Sequence, residues 1–204
     1  TEGNPFFVEE VFQHLAEEGR LFTSDGNWRS DMRVETLDVP EGVRLVIGRR
    51  LERLGDAARR ILTTGAVLGR VFSLALLERL ESGPGGAGPD AVLDAVEEAE
   101  RAHLVTPHSG GRDAQYMFGH ELIRQTLADA LSMPRRQRLH GRIALAIEEL
   151  YAATLTKHIS TLAHHYYQAG AGVDPEKTTQ YLIQAADQVR DAAGHEEALG
   201  YLDA

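Results

Sequence analysis

The chain has 204 residues, of which 43% are hydrophobic and 25% charged, proportions that are ordinary for a soluble globular protein. No stretch approaches the roughly 18–20 consecutive apolar residues that a membrane span needs. There is no cysteine, which excludes disulfides and thiolate metal sites and favours a cytoplasmic location. The formal net charge of −10 argues against general attraction to nucleic acid or to an anionic membrane.

The first forty residues combine a turn signal, a helix and a loop. Gly3-Asn4-Pro5 predicts a turn, and Pro5 is suited to the first turn of a helix because its missing N–H would be unpaired there. Apolar residues then recur at helical spacing until Gly19, which predicts the end of the helix. Residues 22–40 predict a loop, with at most a short strand.

Residues 41–133 predict several helices followed by a β-hairpin. The helices are expected from Glu41 to about Leu54, up to about Leu68, and from about Ser73, and a Gly- and Pro-rich loop follows at 82–89. Asp90 is expected to cap a further helix. Residues 104–108 and 114–118 then predict a hairpin, and a helix follows over about 120–131. This order predicts a winged helix, with Ser109–Asp113 as the wing tip.

The sequence of residues 134–204 predicts helices only. The expected runs are 135–152, 155–170, 176–193 and one beginning at 195, with small and aromatic residues at positions typical of helical-hairpin repeats. The predicted fold class is therefore mainly α: a winged-helix domain with a small β-hairpin, followed by helical repeats like those of tetratricopeptide (TPR) proteins. Because the last predicted helix is cut short, we expect the chain to be a fragment.

Several segments together resemble a known class of proteins. In chain order they are Gly3-Asn4-Pro5-Phe6-Phe7-Val8-Glu9-Glu10, Pro40-Glu41-Gly42-Val43, Arg49-Arg50-Leu51, Ala66-Val67-Leu68-Gly69, Phe118-Gly119-His120-Glu121-Leu122-Ile123-Arg124, the run 136–140 and Leu162-Ala163-His164-His165-Tyr166. The chain resembles the region that follows the ATPase core in bacterial signal-transduction ATPases with numerous domains (the STAND class). These include the large LuxR-type transcription regulators and the AAA-type ATPases associated with nucleotide cyclases.

The resemblance implies three domains. Residues 1–40 would be the end of the helical lid of the ATPase, 41–133 the winged-helix domain, and 134–204 the start of a TPR-like repeat domain. The fragment would itself hold no cofactor, whereas ATP or ADP with Mg would be bound by the parent protein. Its partners would be the upstream ATPase domain of its own chain and an unidentified effector or protein on the repeats, without direct DNA binding or membrane contact.

The resemblance also implies a nucleotide-sensing role for Gly3, Pro5 and His120. In the family, the proline of a Gly-x-Pro motif packs near the adenine, and Gly3 and Pro5 match that motif. A histidine in a Met-His-Asp-type motif meets the ADP phosphates in the resting state, and His120 matches it. Here Phe118-Gly119 precede this histidine and Glu121 replaces the aspartate. Taken alone, His120 would more often be a packed or capping histidine.

Catalysis by the fragment itself is not expected, and no catalytic residue is assigned. A Walker loop needs Gly-x-x-x-x-Gly-Lys-Ser/Thr. Neither Lys177-Thr178 nor Lys157-His158 fits that pattern, because the residues that precede each lysine are Glu176 and Thr156. The Gly-x-Gly spacing within 83–88 does not follow a strand, so it does not predict a dinucleotide site, and no Gly-x-Ser-x-Gly elbow is present.

The nine histidines raise the question of a metal site. His164 and His165 are adjacent, and His158 would lie on the same helical face as His165. No carboxylate stands at the i+4 spacing usual for a helical zinc site, so packed histidines are the favoured interpretation and no metal ligand is assigned.

DNA binding is the third hypothesis, after nucleotide-coupled regulation and a plain helical-repeat scaffold. A winged helix often binds DNA through the helix before its hairpin, but here that helix is rich in acids and would be repelled by phosphates. Four arginines at the start of the repeat region are expected to form one basic face that contacts another domain: Arg135, Arg136, Arg138 and Arg142.

Overall fold

The computed structural model describes residues 41–83, 86–109 and 113–191, together with Phe12. Gly3, Pro5, nearly all of the segment assigned to the ATPase lid, the middle of the wing tip and the helix expected from 195 lie outside the described residues. Among the residues described, no helix is long and apolar enough to cross a membrane.

The first described elements are three helices and one short strand. Helix α1 spans Glu41–Glu52, α2 spans Asp56–Leu68, strand β1 spans Val71–Ser73 and α3 spans Leu74–Glu81. The three helices are confirmed, and α3 begins where the Ser73 hydroxyl accepts a hydrogen bond from the amide of Leu76 at 3.3 Å. Strand β1 was not predicted, because three residues are too few to show an alternating pattern.

The next elements are a helix, a hairpin and a second helix. Helix α4 spans Pro89–Arg101, β2 spans Val105–His108, β3 spans Gln115–Phe118 and α5 spans Glu121–Asp129. The expectation that Asp90 caps α4 is wrong. The capping position belongs to Gly88, because Pro89 already occupies the first helical position, and this leaves the Asp90 carboxylate within the first turn.

The strands form one small antiparallel sheet in the order β1-β3-β2. Val71 pairs with Met117 on one side of β3, and Val105 pairs with Phe118 on the other. The rings of Phe72 and Phe118 lie 5.3 Å apart and are buried between the sheet and the helices. The described chain is therefore mainly helical, with a small three-stranded antiparallel sheet.

Three longer helices follow. Helix α6 spans Met133–Leu150, α7 spans Ile159–Ala169 and α8 spans Pro175–Asp191, with 3-10 turns at Ala152–His158 and Gly170–Gly172. Helix α6 packs against α2 and α3 on one side and against α7 on the other, and α7 packs against α8. One hydrophobic core consequently runs from α1 to α8.

Candidate functional site

The strand before His120 determines where that histidine lies. Phe118 is fully buried at the end of β3, and the amide of Gly119 donates a hydrogen bond to the carbonyl of Leu104 at 2.9 Å. A Cβ on Gly119 would lie 3.4 Å from the carbonyl oxygen of His103, so the chain passes close to the turn before β2. The backbone then extends through His120 into α5.

The His120 side chain caps helix α5. Its Nδ1 accepts a hydrogen bond from the amide of Leu122 at 3.1 Å, and the backbone has the extended conformation of a capping residue, with φ −153° and ψ 145°. In the neutral ring the proton is then on Nε2, which makes Nε2 a donor. The ring is only 6% exposed, so a contact with a phosphate would require it to become accessible.

Helix α5 is held to α2 by Arg124. The Arg124 guanidinium donates to both carboxylate oxygens of Glu121, at 2.8 and 2.9 Å, and to the carbonyl of Ala66 at 3.1 Å. That carbonyl belongs to the last turn of α2, where carbonyls have no partner within the helix. The hydrogen bond from Arg124 lowers the pKa of Glu121, so the carboxylate remains ionised.

The other end of α5 is held by α6. Arg136 donates to the carbonyl of Ala128 at 2.7 Å and to the carboxylate of Asp129 at 3.1 Å. Because Arg136 lies in the second turn of α6, it joins the last turn of α5 directly to the next helix. The helix that begins at His120 is therefore bonded to α2 near its start and to α6 at its end.

The predicted basic face is divided between two sides of α6, so the expectation of one face is wrong. Arg135, Arg138 and Arg142 line a cleft of about 500 Å³ against α2 and α3, with Arg60 on its opposite wall. Arg142 also donates to the carbonyl of Leu80. Arg136 points away from this cleft toward α5, because its side chain completes the end of that helix.

Three histidines meet between α6 and α7. His140 lies on α6, and His164 and His165 lie on α7; each offers one ring nitrogen, and these three atoms lie within 4.8 Å of one another. The Nδ1 atoms of His140 and His165 are 2.8 Å apart, which is a hydrogen-bond distance. His140 and His165 are buried, whereas His164 is exposed. We call these three residues the histidine cluster.

The histidine cluster differs from the pair considered in the sequence. His158 lies outside it and stacks on Tyr151, with ring centroids 4.2 Å apart. His140 was not considered, because no local spacing connects it with residues on another helix. The signal that could have found it is the turn predicted between residues 152 and 155. His140 precedes that turn by about as many residues as His165 follows it, as partners in a helical hairpin do.

Burial keeps the histidine cluster in the neutral state. Burial, followed by the nearby charges of His164 and Arg136, lowers the pKa of His140 to about 4. Burial and the neighbouring histidines lower the pKa of His165 to about 3. Burial and Arg124 also lower the pKa of His164. Neutral imidazole is the form that binds a metal ion, so these three residues could hold one.

Comparison with known proteins finds similarity to an uncharacterized protein. No protein-family model matches the sequence, and no solved structure is significantly similar to it. The chain is 27% identical over 205 aligned residues to an uncharacterized protein of Rhizobium meliloti (strain 1021). The match covers 98% of this chain but only 18% of that relative, so a comparable segment forms a small part of a much longer protein.

Proposed function

We propose that this chain is a regulatory segment of a multidomain signal-transduction ATPase of the STAND class. Residues 41–133 form a winged helix that couples the ADP or ATP state of an ATPase core to an effector or protein partner on the TPR-like helices that follow. Two findings support the proposal: the described part of residues 41–133 combines helices with a small three-stranded antiparallel sheet, and the matching segment of the relative belongs to a much longer chain.

The observation that carries the proposal is the position of helix α5. Its first turn is capped by His120, the residue proposed to sense the nucleotide, and its last turn is bonded to α6 through Arg136. A displacement of His120 would alter the capped end of α5, and the contact with α6 would pass that change to the repeats. His120 would make different contacts in the ADP state and in the ATP state. Such a difference in contacts is what allows a ligand to shift the equilibrium between two states.

The neutral His120 ring provides suitable chemistry for this role. With Nδ1 occupied by the amide of Leu122, Nε2 carries a proton that it can donate to a diphosphate oxygen. Such a hydrogen bond to a charged acceptor contributes about 1.5–3 kcal/mol. ATP or ADP with Mg would be bound by the ATPase core, with Gly3 and Pro5 at its lid, and this segment would perform no hydrolysis.

The test compares two substitutions of His120 in the full-length protein. His120→Ala removes both the cap and the imidazole, whereas His120→Asn keeps a good capping side chain and removes only the imidazole. We expect both variants to release ADP roughly ten- to a hundredfold faster than the wild type, the equivalent of one lost hydrogen bond to a charged group. Basal output of the parent protein should rise in both.

The control is His108→Ala, which removes a histidine from β2 on the hairpin. ADP release and basal output should be unchanged in this variant. If His120→Asn behaves as the wild type while His120→Ala does not, the residue acts only as a helix cap and the nucleotide-sensing proposal is wrong. Equal ADP retention in all three variants would also contradict it.

The helical-repeat scaffold without a nucleotide role is supported by one separate observation. Tyr167 and Ile183, on α7 and α8, are 48% and 47% exposed and border a cleft of about 590 Å³. Exposed aromatic and aliphatic side chains of this kind suit a protein partner. A scaffold of this kind would bind its partner equally well in the His120 variants and with or without nucleotide on the parent protein.

A further inference from the structure

The histidine cluster has the composition of a three-imidazole metal site. In a tetrahedral zinc site with Zn–N distances of about 2.0–2.1 Å, the ligand nitrogens are about 3.3 Å from one another. The Nδ1 atoms of His140 and His165 are already 2.8 Å apart, and all three candidate ligand atoms lie within 4.8 Å. To bind an ion, the Nδ1 atoms of His140 and His165 must move apart by about 0.5 Å, and the His164 ring must move toward them. Rotation of the side chains can provide both movements.

One of the three histidine rings is accessible to solvent, and the other two are held in place by helix packing. His140 and His165 are buried and are held by the packing of α6 against α7, whereas His164 is exposed and gives an ion a path from solvent. The ring of His164 lies edge-on to both partners, with centroid distances of 5.8 Å to His140 and 5.2 Å to His165. The three rings therefore lie close enough together between α6 and α7 for their nitrogens to approach one ion.

His140 and His165 are neutral at neutral pH, so they can bind a metal ion without first losing a proton. The low pKa values of His140 and His165 leave lone pairs available at neutral pH. In the contact between the two Nδ1 atoms, one ring donates and the other accepts. The donor ring must move its proton to Nε2 before both Nδ1 atoms can face an ion, and this is a change of tautomer without loss of charge.

The nearby positive charges are partly offset. Burial is the main cause of the lowered pKa of His164 and of His140, and Arg124 and Arg136 lower these pKa values further, so both guanidinium groups act on the cluster. Each is also bonded to a carboxylate, Arg124 to Glu121 and Arg136 to Asp129. Since each arginine is paired with a carboxylate, its repulsion of a cation is weaker than that of an isolated guanidinium.

We propose that His140, His164 and His165 bind a divalent transition-metal ion such as Zn²⁺ between helices α6 and α7. Three neutral imidazoles suit Zn²⁺, Ni²⁺ or Cu²⁺ rather than Mg²⁺ or Ca²⁺, which require oxygen ligands. Three protein ligands leave a fourth position for water. The ion would fix α6 against α7, and its binding is independent of the proposed nucleotide role.

The first experiment measures Co²⁺ binding to the chain without any added histidine tag, after treatment with a chelator. Co²⁺ in a site with imidazole ligands gives visible d–d absorption, and Zn²⁺ should displace it with loss of that signal. We expect one equivalent to bind and Zn²⁺ to raise the melting temperature, since an ion that binds only the folded state stabilises it. Absence of the Co²⁺ spectrum in the wild-type chain would overturn the proposal.

The second experiment assigns the ligands. His164→Ala removes the exposed ligand, so the fold is retained. We expect the Co²⁺ affinity to fall at least about a hundredfold, which is the upper end of the loss seen when a residue that only orients a metal ligand is replaced. His108→Ala, on β2, is the matched control and should bind Co²⁺ as the wild type does. Wild-type affinity in His164→Ala, or an equal loss in His108→Ala, would contradict the assignment. Circular dichroism confirms that each variant is folded.

Discussion

Four of the histidines that the structure describes differ in their surroundings. His120 uses its Nδ1 as a helix cap, His158 stacks on Tyr151, and His140 shares a hydrogen bond with His165 in a buried cluster. The first two are common structural uses of an imidazole. The third is unfavourable in free energy below about pH 6.5, because buried neighbouring imidazoles do not readily take up a proton.

The buried histidines should make stability fall with acid. In the unfolded chain a histidine titrates near its ordinary pKa of about 6.5, whereas burial lowers the pKa of His140 to about 4 and that of His165 to about 3. Below about pH 6.5 the unfolded state therefore binds more protons than the folded state, and stability decreases as the pH falls. We expect the free energy of unfolding, measured with urea and a chelator present, to decline from pH 7 to pH 5.

The comparison variant for this prediction is His165→Gln. The amide cannot take up a proton, so the decline between pH 7 and pH 5 should be shallower than in the wild type, even if the variant is less stable at pH 7. Equal slopes in the two proteins would show that His165 does not contribute to the acid sensitivity.

Arginines satisfy the C-terminal ends of three helices. Arg124 bonds the carbonyl of Ala66 in α2, Arg136 that of Ala128 in α5, and Arg142 that of Leu80 in α3. Each arginine comes from a different helix from the one it completes. Because a positive charge at a helix C-terminus is favoured by the helix dipole, each contact stabilises a helix and fixes its orientation to a neighbour.

The Arg136 contact can be tested against the adjacent arginine. Arg136→Gln should lower the free energy of unfolding by about 1–2 kcal/mol, because it removes hydrogen bonds from a charged donor to Ala128 and Asp129. Arg135 is exposed and has no hydrogen bond or ion pair with the described residues, so Arg135→Gln should change stability by less than about 0.5 kcal/mol. Urea denaturation measures both, and equal losses would mean that the contact with α5 contributes nothing.

The whole described chain shares one core, and α6 is the element common to its two halves. Helix α6 packs against α2 and α3 on one side and α7 on the other. On the side of α7, the Glu148 carboxylate of α6 accepts hydrogen bonds from Lys177 at 2.9 Å and from the Tyr181 hydroxyl at 2.7 Å, both on α8. A displacement of α6 would therefore change helix contacts in both halves.

A shared core predicts that helices α1–α5 with the sheet open cooperatively with helices α6–α8. Ile143 is fully buried on α6, and Ile143→Val should cost about 1 kcal/mol, which speeds hydrogen exchange about fivefold for amides that exchange by global opening. The slowest amides of α2 and α7 should both show this change. Leu145→Ala, at a half-exposed position of the same helix, is the control and should have little effect.

Faster exchange in α7 alone would contradict the shared core. It would show that α7 opens separately from α2, and that the packing of α6 stabilises only one of the two halves.

Much of the helical framework was predictable because it depends on local pattern. Apolar spacing predicted α1, α2 and α6 to within a few residues, and the Ser-Gly-Gly turn between alternating residues predicted the hairpin. Strand β1 was missed because it is only three residues long, and it exists through pairing with β3, which is distant in sequence. The cap of α4 lies two residues before the predicted Asp90, because Pro89 occupies the first helical position and Gly88 precedes it.

The candidate sites also divide into features that depend on local sequence and features that depend on how the helices pack. The sequence by itself placed His120 at the start of a helix, where a packed or capping role is the common one, and the structure shows the cap. The histidine cluster and the three arginine contacts join residues on different helices, and only the tertiary structure decided them. The physical reason is that period and capping act within a few residues, whereas the side chains that meet across α6 and α7 depend on how the helices pack.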